Sequence, residues 1–274
     1  MKGQIIKIIS NDYFIESNNK EYICKARGKL KKDNMIPKVG DYVIFNPKDA
    51  VVEKILPRKN ELDRPNVSNI DEAFIITSLK KPDFSSNLLD KLLVICEINE
   101  INPVICLTKK DLLTKKEWSS LKKIIKYYKK LGYPILYNNQ ISKIKKRFKN
   151  KIVVFTGQTG AGKSTLMNKL DKSLNFETNE ISDALGRGKH TTRYVTLVSI
   201  GKGKVLDTPG FSALDLTKYT DEEIRNAFVE FRKYHCSYKN CMHINEKECK
   251  VKPYVGSQIL KSRYENFLKF IEKR

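Results

Sequence analysis

GQTGAGKST, residues 157–165, decides how the rest of the chain is read. Gly157, Gln158, Thr159, Gly160, Ala161, Gly162, Lys163 and Ser164 satisfy G-x-x-x-x-G-K-[ST] at every position, and Thr165 follows. The stretch leaves the apolar run KIVVF (151–155) and enters the helix-compatible TLMNKL (165–170), the strand–loop–helix context that a phosphate-binding loop requires. Glycines let successive backbone N–H groups wrap the α- and β-phosphates, helped by the positive end of the helix. Lys163 then reaches the β/γ oxygens, and the Ser164 hydroxyl is a ligand for Mg²⁺.

Working upstream, TKKD at 108–111 follows a second buried-strand pattern, PVICL (103–107). Doubly wound sheets bind ligands at that carboxyl end of their strands. Asp111 can accept from both N1–H and N2–H₂ of guanine, which adenine cannot offer. The aliphatic stem of Lys109 can cover the base, with Thr108 standing where Asn is commoner and Lys110 completing the motif. GTP-binding chains ordinarily place the phosphate loop first; here it comes second. A permuted chain can keep the same sheet with different connections, so the central region reads as an α/β P-loop GTPase domain in circularly permuted order.

Downstream, KVLDTPG (204–210) ends an apolar run in D-x-x-G: Asp207 can hold Mg²⁺ through water, and the Gly210 N–H can meet the γ-phosphate. Between the two motifs lies GRGKHTTR (186–193), glycine-rich and basic. Thr191 or Thr192, the latter preferred, is positioned to close on Mg²⁺ together with Ser164, as a switch ordered by the γ-phosphate. Phe211 stands where many GTPases carry a water-orienting Gln, which predicts slow hydrolysis by the protein alone. Lys163, Thr192 and His190 are the catalytic candidates. For His190 two roles stay open, orienting water or contacting phosphate. Asn138, which ends PILYN (134–138), and Asn139 stand where a further guanine contact is expected, yet no Ser-Ala pair occurs there, and neither is assigned.

The chain has 274 residues, 40% hydrophobic, with Lys+Arg 53 against Asp+Glu 31. A net charge of +22 attracts polyanions, nucleic acid first among them. Basic tracts are concentrated, as in KIKKRFKNK (143–151). No apolar run approaches the roughly 18–20 residues needed to span a bilayer, and MKGQIIKIISNDYF lacks the apolar core and cleavage site of a signal peptide. A soluble cytoplasmic monomer without membrane contact is expected.

Residues 1–65 alternate short β-like runs (QIIKIIS, DYFIES, EYICKA, DYVIF, AVVEKIL) with turn signals, which predicts an N-terminal OB-fold β-barrel. Its loop ARGKLKKDNMIPKVGD offers Arg27, Lys29, Lys31 and Lys32 either to a nucleic-acid backbone or to solvent. Residues 66–215 alternate strands and helices. Here AFIIT is followed by a helix near 87–99, and a second helix near 115–131 opens with the Thr114/Glu117 capping box and stops at Gly132. Residues 216–274 read as mostly helical: Thr220 and Glu223 cap a helix carrying Ile224, Ala227, Phe228 and Phe231, and an amphipathic helix with Ile259, Leu260, Tyr264, Phe267, Leu268 and Ile271 ends the chain.

Of six cysteines, Cys24, Cys96 and Cys106 fall in apolar runs and read as buried thiols. The others form Cys236-x₄-Cys241-x-His243-x₅-Cys249, three thiolates and an imidazole with the spacing of a closed structural zinc tetrahedron. A reducing compartment disfavours disulfides there.

A predicted five-strand barrel, then TKKD, GQTGAGKST, GRGKHTTR, DTPGF and the C-x₄-C-x-H-x₅-C cluster, with VGD at 39–41, together resemble the RsgA/YjeQ family of circularly permuted GTPases over nearly the whole chain. The resemblance implies GTP/GDP and Mg²⁺ at the loop and one structural Zn²⁺. It also implies the small ribosomal subunit and its rRNA as partners, gripped by barrel and zinc domain, with hydrolysis stimulated by that subunit late in its maturation. His190 matches the family's switch histidine. Three other readings are a permuted GTPase acting on the large subunit, an RNA-binding module holding nucleotide only as a structural ligand, and a P-loop ATPase or small-molecule kinase. Asp111 opposes the last.

Overall fold

The structure is a computed structural model that describes residues 1–26, 36–62, 66–171, 195–207 and 215–272. Along the chain these form β1 (Lys2–Ile9), β2 (Asp12–Ser17), β3 (Lys20–Ala26), β4 (Tyr42–Asn46), β5 (Val51–Ile55), the two-residue pair β6 (Glu61–Leu62) and β7 (Val67–Ser68), and β8 (Glu72–Ser78). There follow α1 (Ser86–Ile98), β9 (Asn102–Thr108), α2 (Lys115–Lys130), β10 (Ile135–Tyr137), α3 (Ile141–Phe148), β11 (Ile152–Gly157), α4 (Lys163–Leu170), β12 (Thr196–Ile200), β13 (Gly203–Asp207), α5 (Asp221–Ala227) and α6 (Lys261–Glu272). They fall into two compact units. One gathers Met1–Ala73, Gln140–Thr156 and Lys163–Phe211, the other Phe74–Asn139, Gly157–Gly162 and Ser212–Arg274.

The first unit contains the expected five-stranded barrel. Strands run in the order β1-β2-β3-β5-β4, and β4 returns to pair with β1, so the sheet closes. Ile5, Ile15, Cys24, Val43, Phe45, Val52 and Ile55 fill it, alternating inward along each strand as the period of two requires. Asp41 of the VGD stretch, fully buried, explains that motif structurally: it accepts from the Lys38 N–H (2.7 Å), the Ser68 hydroxyl (2.6 Å) and two nitrogens of Arg58 (both 2.8 Å). Gly40 sits at φ +99°, and a Cβ there would fall 2.2 Å from the Ser68 carbonyl oxygen, so only glycine fits.

The ladder continues beyond the barrel: β12 lies against β1, with Lys7 opposite Thr196, and β13 and β11 follow. β11 and β13 are parallel, Val154 opposite Leu206, and Asp207 follows as the last residue of β13. In α3, Ile144 and Phe148 are buried while Lys143, Lys145 and Lys146 are exposed, as is Lys149 just beyond it. Arg147 and Lys151 turn instead to buried Glu72, at 2.8 and 2.5 Å.

In the second unit β8, β9 and β10 are neighbours, with β9 and β10 parallel, and α1 buries Leu89, Leu92, Leu93, Val94, Ile95 and Cys96. The capping box of α2 forms as expected, Thr114 accepting from the Glu117 N–H while Glu117 accepts from that of Thr114. Lys80 and Thr114 hold the Glu117 carboxyl down at about 2. Thr220 and Glu223 cap α5 in the same way.

Two helix boundaries differ from the expectation. α5 ends at Ala227: Phe228 leaves helical backbone at ψ 87°, and Phe231 opens a separate 3₁₀ turn. The break lets both rings join Phe267 and Phe270 in one aromatic cluster, with centroids 5.1–6.3 Å apart. α6 begins at Lys261, so Ile259 precedes it and is buried in a turn where its backbone meets Gly256 and Tyr254. α6 also buries two polar residues among its apolar ones. The Arg263 guanidinium, wholly enclosed, donates to Asp90 (2.6 Å) and Glu230 (2.5 Å), while Asn266 and Tyr128 also donate to Asp90 at 2.7 Å. Burial pushes the Asp90 carboxyl up, and Arg263, Asn266 and Tyr128 pull it back.

Candidate nucleotide site and metal centre

The second unit holds the guanine motif and residues 157–162 of the phosphate loop. Gly157 must be glycine, because at φ +131° a Cβ would lie 2.1 Å from the Ile76 carbonyl oxygen of β8. From there the chain turns through Gly160 (φ +75°) and Gly162 (φ +95°), and the Ala161 N–H returns to the Gln158 carbonyl at 3.1 Å. Thr108, buried at the end of β9, donates its hydroxyl to the Ala161 carbonyl at 2.7 Å. Threonine therefore ties the TKKD turn to the 157–162 loop.

Lys109 takes a left-handed conformation, φ 56°, and its ammonium donates to the Gly160 carbonyl at 2.7 Å and to the Lys81 carbonyl. Its stem is thus strung along the phosphate-loop side of the turn. Lys110 to Leu112 form a 3₁₀ turn that presents Asp111 at the surface. The Lys110 ammonium lies over the Trp118 ring at 4.3 Å and the Tyr137 ring at 5.2 Å. The Asn138 N–H donates to the Leu107 carbonyl at 3.0 Å, which sets Asn138 at the same strand edge as Thr108.

The first unit begins the loop's helix: Lys163 opens α4, and Ser164 is buried in its first turn while Thr165 is exposed. Partial burial pushes the Lys163 ammonium down from its ordinary value, a penalty that an anion bound beside it would offset. Asp207 ends β13. His190, Thr191, Thr192, Gly210 and Phe211, and the basic barrel loop with Arg27, Lys29, Lys31 and Lys32, lie outside the described residues.

The Cys/His cluster comes together at one point. The Nδ1 of His243 lies 3.6, 3.4 and 3.5 Å from the sulfurs of Cys236, Cys241 and Cys249, and all four ligand atoms fall within 4.8 Å of one another. Zinc bonds of about 2.3 Å to sulfur and 2.0–2.1 Å to nitrogen in a tetrahedron put S and N roughly 3.5 Å apart, so the donor set fits that ion. Burial pushes the Cys241 thiol up to about 12, a proton that a metal has to displace. The surroundings hold the ligands in place. Tyr264 donates to the His243 carbonyl (2.6 Å), Arg225 to that of Cys241 (3.3 Å), and the Lys250 N–H to the Cys236 sulfur (3.2 Å). Glu246 accepts from the N–H groups of Met242 and Ile244 at 2.6 and 2.8 Å. Cys24, Cys96 and Cys106 are free and buried, as expected.

Sequence reading missed the Asp90–Arg263–Glu230 network and the aromatic seat of Lys110. The network had a signal in the sequence: Asp90 interrupts the apolar LLDKLLVIC, and Arg263 shares a helix face with Phe267 and Phe270.

Comparison with known proteins agrees with this architecture. Residues 55–217 match the RsgA GTPase family and residues 2–52 the RsgA N-terminal domain. The chain is 44% identical to small ribosomal subunit biogenesis GTPase RsgA 2 of Oceanobacillus iheyensis, covering 99% of this chain and 97% of that one. It is 42% identical to the RsgA of Latilactobacillus sakei over 98% and 94%. Among solved structures it resembles YjeQ from Thermotoga maritima (TM-score 0.85, 32% identity, 99% and 97% covered). It also resembles YloQ, described as a circularly permuted GTPase (TM-score 0.82, 33% identity, 99% and 94% covered).

Proposed function

This chain belongs to the RsgA GTPase family, and from that premise we propose that it hydrolyses GTP to GDP and phosphate in the late maturation of the small ribosomal subunit, which it binds and which stimulates it. The observation that carries the guanine-nucleotide reading is the bond from Thr108 to Ala161, which unites TKKD with a phosphate loop that follows it in sequence. Asp111 reads guanine, the 157–165 loop and Lys163 hold the phosphates, and Ser164, Thr192 and Asp207 serve Mg²⁺, which when bound neutralises charge developing on the γ-phosphate. Thr191 is the alternative to Thr192 in closing on Mg²⁺, the Gly210 N–H serves the γ-phosphate, and His190 acts in subunit-stimulated hydrolysis. Cys236, Cys241, His243 and Cys249 hold one structural zinc ion.

Residues 1–65, 66–215 and 216–274 serve as RNA-binding barrel, GTPase domain and zinc-binding helical domain. The net charge of +22 supports rRNA as the polyanion engaged. Among the described residues no helix is long and apolar enough to cross a membrane, and we take the protein to work in the cytoplasm as a monomer. The test is GTP turnover by the full chain alone, with small subunits and with large subunits, at matched salt because a chain this basic binds any RNA at low ionic strength. Stimulation by small subunits only is expected. Equal stimulation by both, or by neither, overturns the ribosomal assignment.

A further inference from the structure

The turn that carries Asp111 is tied down on two sides, and only one of those ties belongs to the phosphate loop. Thr108 and Lys109 bond to Ala161 and Gly160. Beyond Lys109 the chain reverses through a 3₁₀ turn of three residues and enters α2 by way of the Thr114 cap. Within that turn Leu112 is 43% exposed and Asp111 is exposed, so apolar burial does little to fix it. What grips the turn is Lys110, whose ammonium sits 4.3 Å from the centroid of Trp118 in the first turn of α2 and 5.2 Å from that of Tyr137 at the end of β10. Two ring faces on two different elements thus seat the residue adjacent to Asp111.

We infer that Trp118 and Tyr137, acting through Lys110, are positioning residues for guanine selection: by seating the Lys110 ammonium they hold Asp111 in the orientation in which both of its oxygens meet the base. The physical basis is general. A bidentate carboxylate distinguishes guanine only while its carboxyl plane stays in register with N1–H and N2–H₂, and a side chain on a short exposed turn loses that register cheaply. A cation over an aromatic face stabilises an exposed pair by about 0.5–1 kcal/mol, which is roughly a 2- to 5-fold effect on an equilibrium. The selectivity at stake is therefore modest and specific to the base. The phosphate loop has its own supports and does not depend on the rings. Lys110, which sequence alone groups with the nucleotide ligands, acts in this arrangement one step removed from the base.

Trp118 is the only tryptophan in the chain, so the seat carries its own reporter. The experiment titrates full-length parent, Trp118→Leu, Trp118→Phe and Lys110→Met proteins with GDP and with ADP by displacement of a fluorescent GDP analogue. Tryptophan emission of the parent and of Lys110→Met is followed during GDP titration. Trp118→Leu and Lys110→Met should weaken GDP roughly 2- to 5-fold and lower the GDP-over-ADP ratio by the same factor, while Trp118→Phe, which keeps a ring, should retain most of it. The parent's emission should change on GDP binding, and that change should shrink in Lys110→Met. A GDP-over-ADP ratio that stays at the parental value in Trp118→Leu, because both affinities fall together or neither falls, refutes the positioning role and leaves Trp118 a packing residue. The inference rests on Asp111 reading guanine, and Asp111→Asn separates the two. If that variant keeps its preference for GDP over xanthosine diphosphate, the guanine assignment itself fails. If it loses the preference while the Trp118 variants do not change, only the seat fails.

Discussion

Arg263→Met tests the largest energetic claim in the second unit. Arg263 is wholly enclosed between Asp90, itself fully buried, and Glu230, with N–O separations of 2.6 and 2.5 Å. Methionine fills similar volume but leaves the Asp90 carboxylate with the neutral donors Asn266 and Tyr128 in place of a cation. Removing one partner of a buried pair costs about 3–5 kcal/mol. For a protein of this size each kcal/mol moves Tm by about 2–4 °C, so a fall of about 6–20 °C is expected in the transition that contains α1 and α6. The deficit should also depend on pH. Burial already raises the Asp90 carboxyl, and losing Arg263 raises it further. A carboxyl with a raised native-state pKa takes up a proton on folding, so its penalty is greatest above that pKa and fades as pH falls through it. Calorimetric scans of parent and variant at pH 8 and pH 5.5 should therefore give a smaller Tm gap at the lower pH. Asp90→Asn in the Arg263→Met background should recover part of the gap at pH 8. A variant melting within about 2 °C of the parent at pH 8, or a gap that widens on acidification, would refute the reasoning.

Thr108→Val removes the hydroxyl that Thr108 donates to the buried Ala161 carbonyl, a cost of about 1–3 kcal/mol. GDP affinity measured by fluorescence titration should fall roughly 5-fold or more, and Thr108→Asn should restore it; unchanged affinity in the valine variant would show that the link is idle. For the metal centre, the purified chain should contain stoichiometric zinc by elemental analysis, and Cys249→Ser should lose most of it and melt earlier in the segment around Phe231, which packs on His243 at 5.3 Å. A metal-free parent with the same melting curve as a chelator-treated sample would count against the site.

The motifs were legible in the sequence because each is a local chemical statement. The phosphate loop, TKKD and the Cys₃His spacing carry their geometry within a few residues, and the capping boxes at Thr114 and Thr220 do the same for helix starts. The five strands of the barrel are legible as short β-like runs separated by turn signals. Their pairing is not, since Lys2 meeting Ile44 and Lys7 meeting Thr196 join residues far apart in the chain. Periodicity says which face of an element is buried and never against what. For the same reason Phe231, apolar and at helical spacing from Phe228, reads as part of α5 by pattern, whereas the chain leaves the helix at Phe228 to complete an aromatic cluster with α6.

The sequence by itself determined that this chain carries phosphate-loop and guanine-type motifs in permuted order and a Cys₃His set able to hold a metal, because those readings rest on residue type, spacing and strand context. Only the tertiary structure decided which charges are buried and what each lysine of TKKD touches. Arg263 becomes a core residue because Asp90 and Glu230, brought from α1 and the segment after α5, offset the cost of desolvating it. Lys110 turns to Trp118 and Tyr137 because folding puts two aromatic faces within reach of its ammonium.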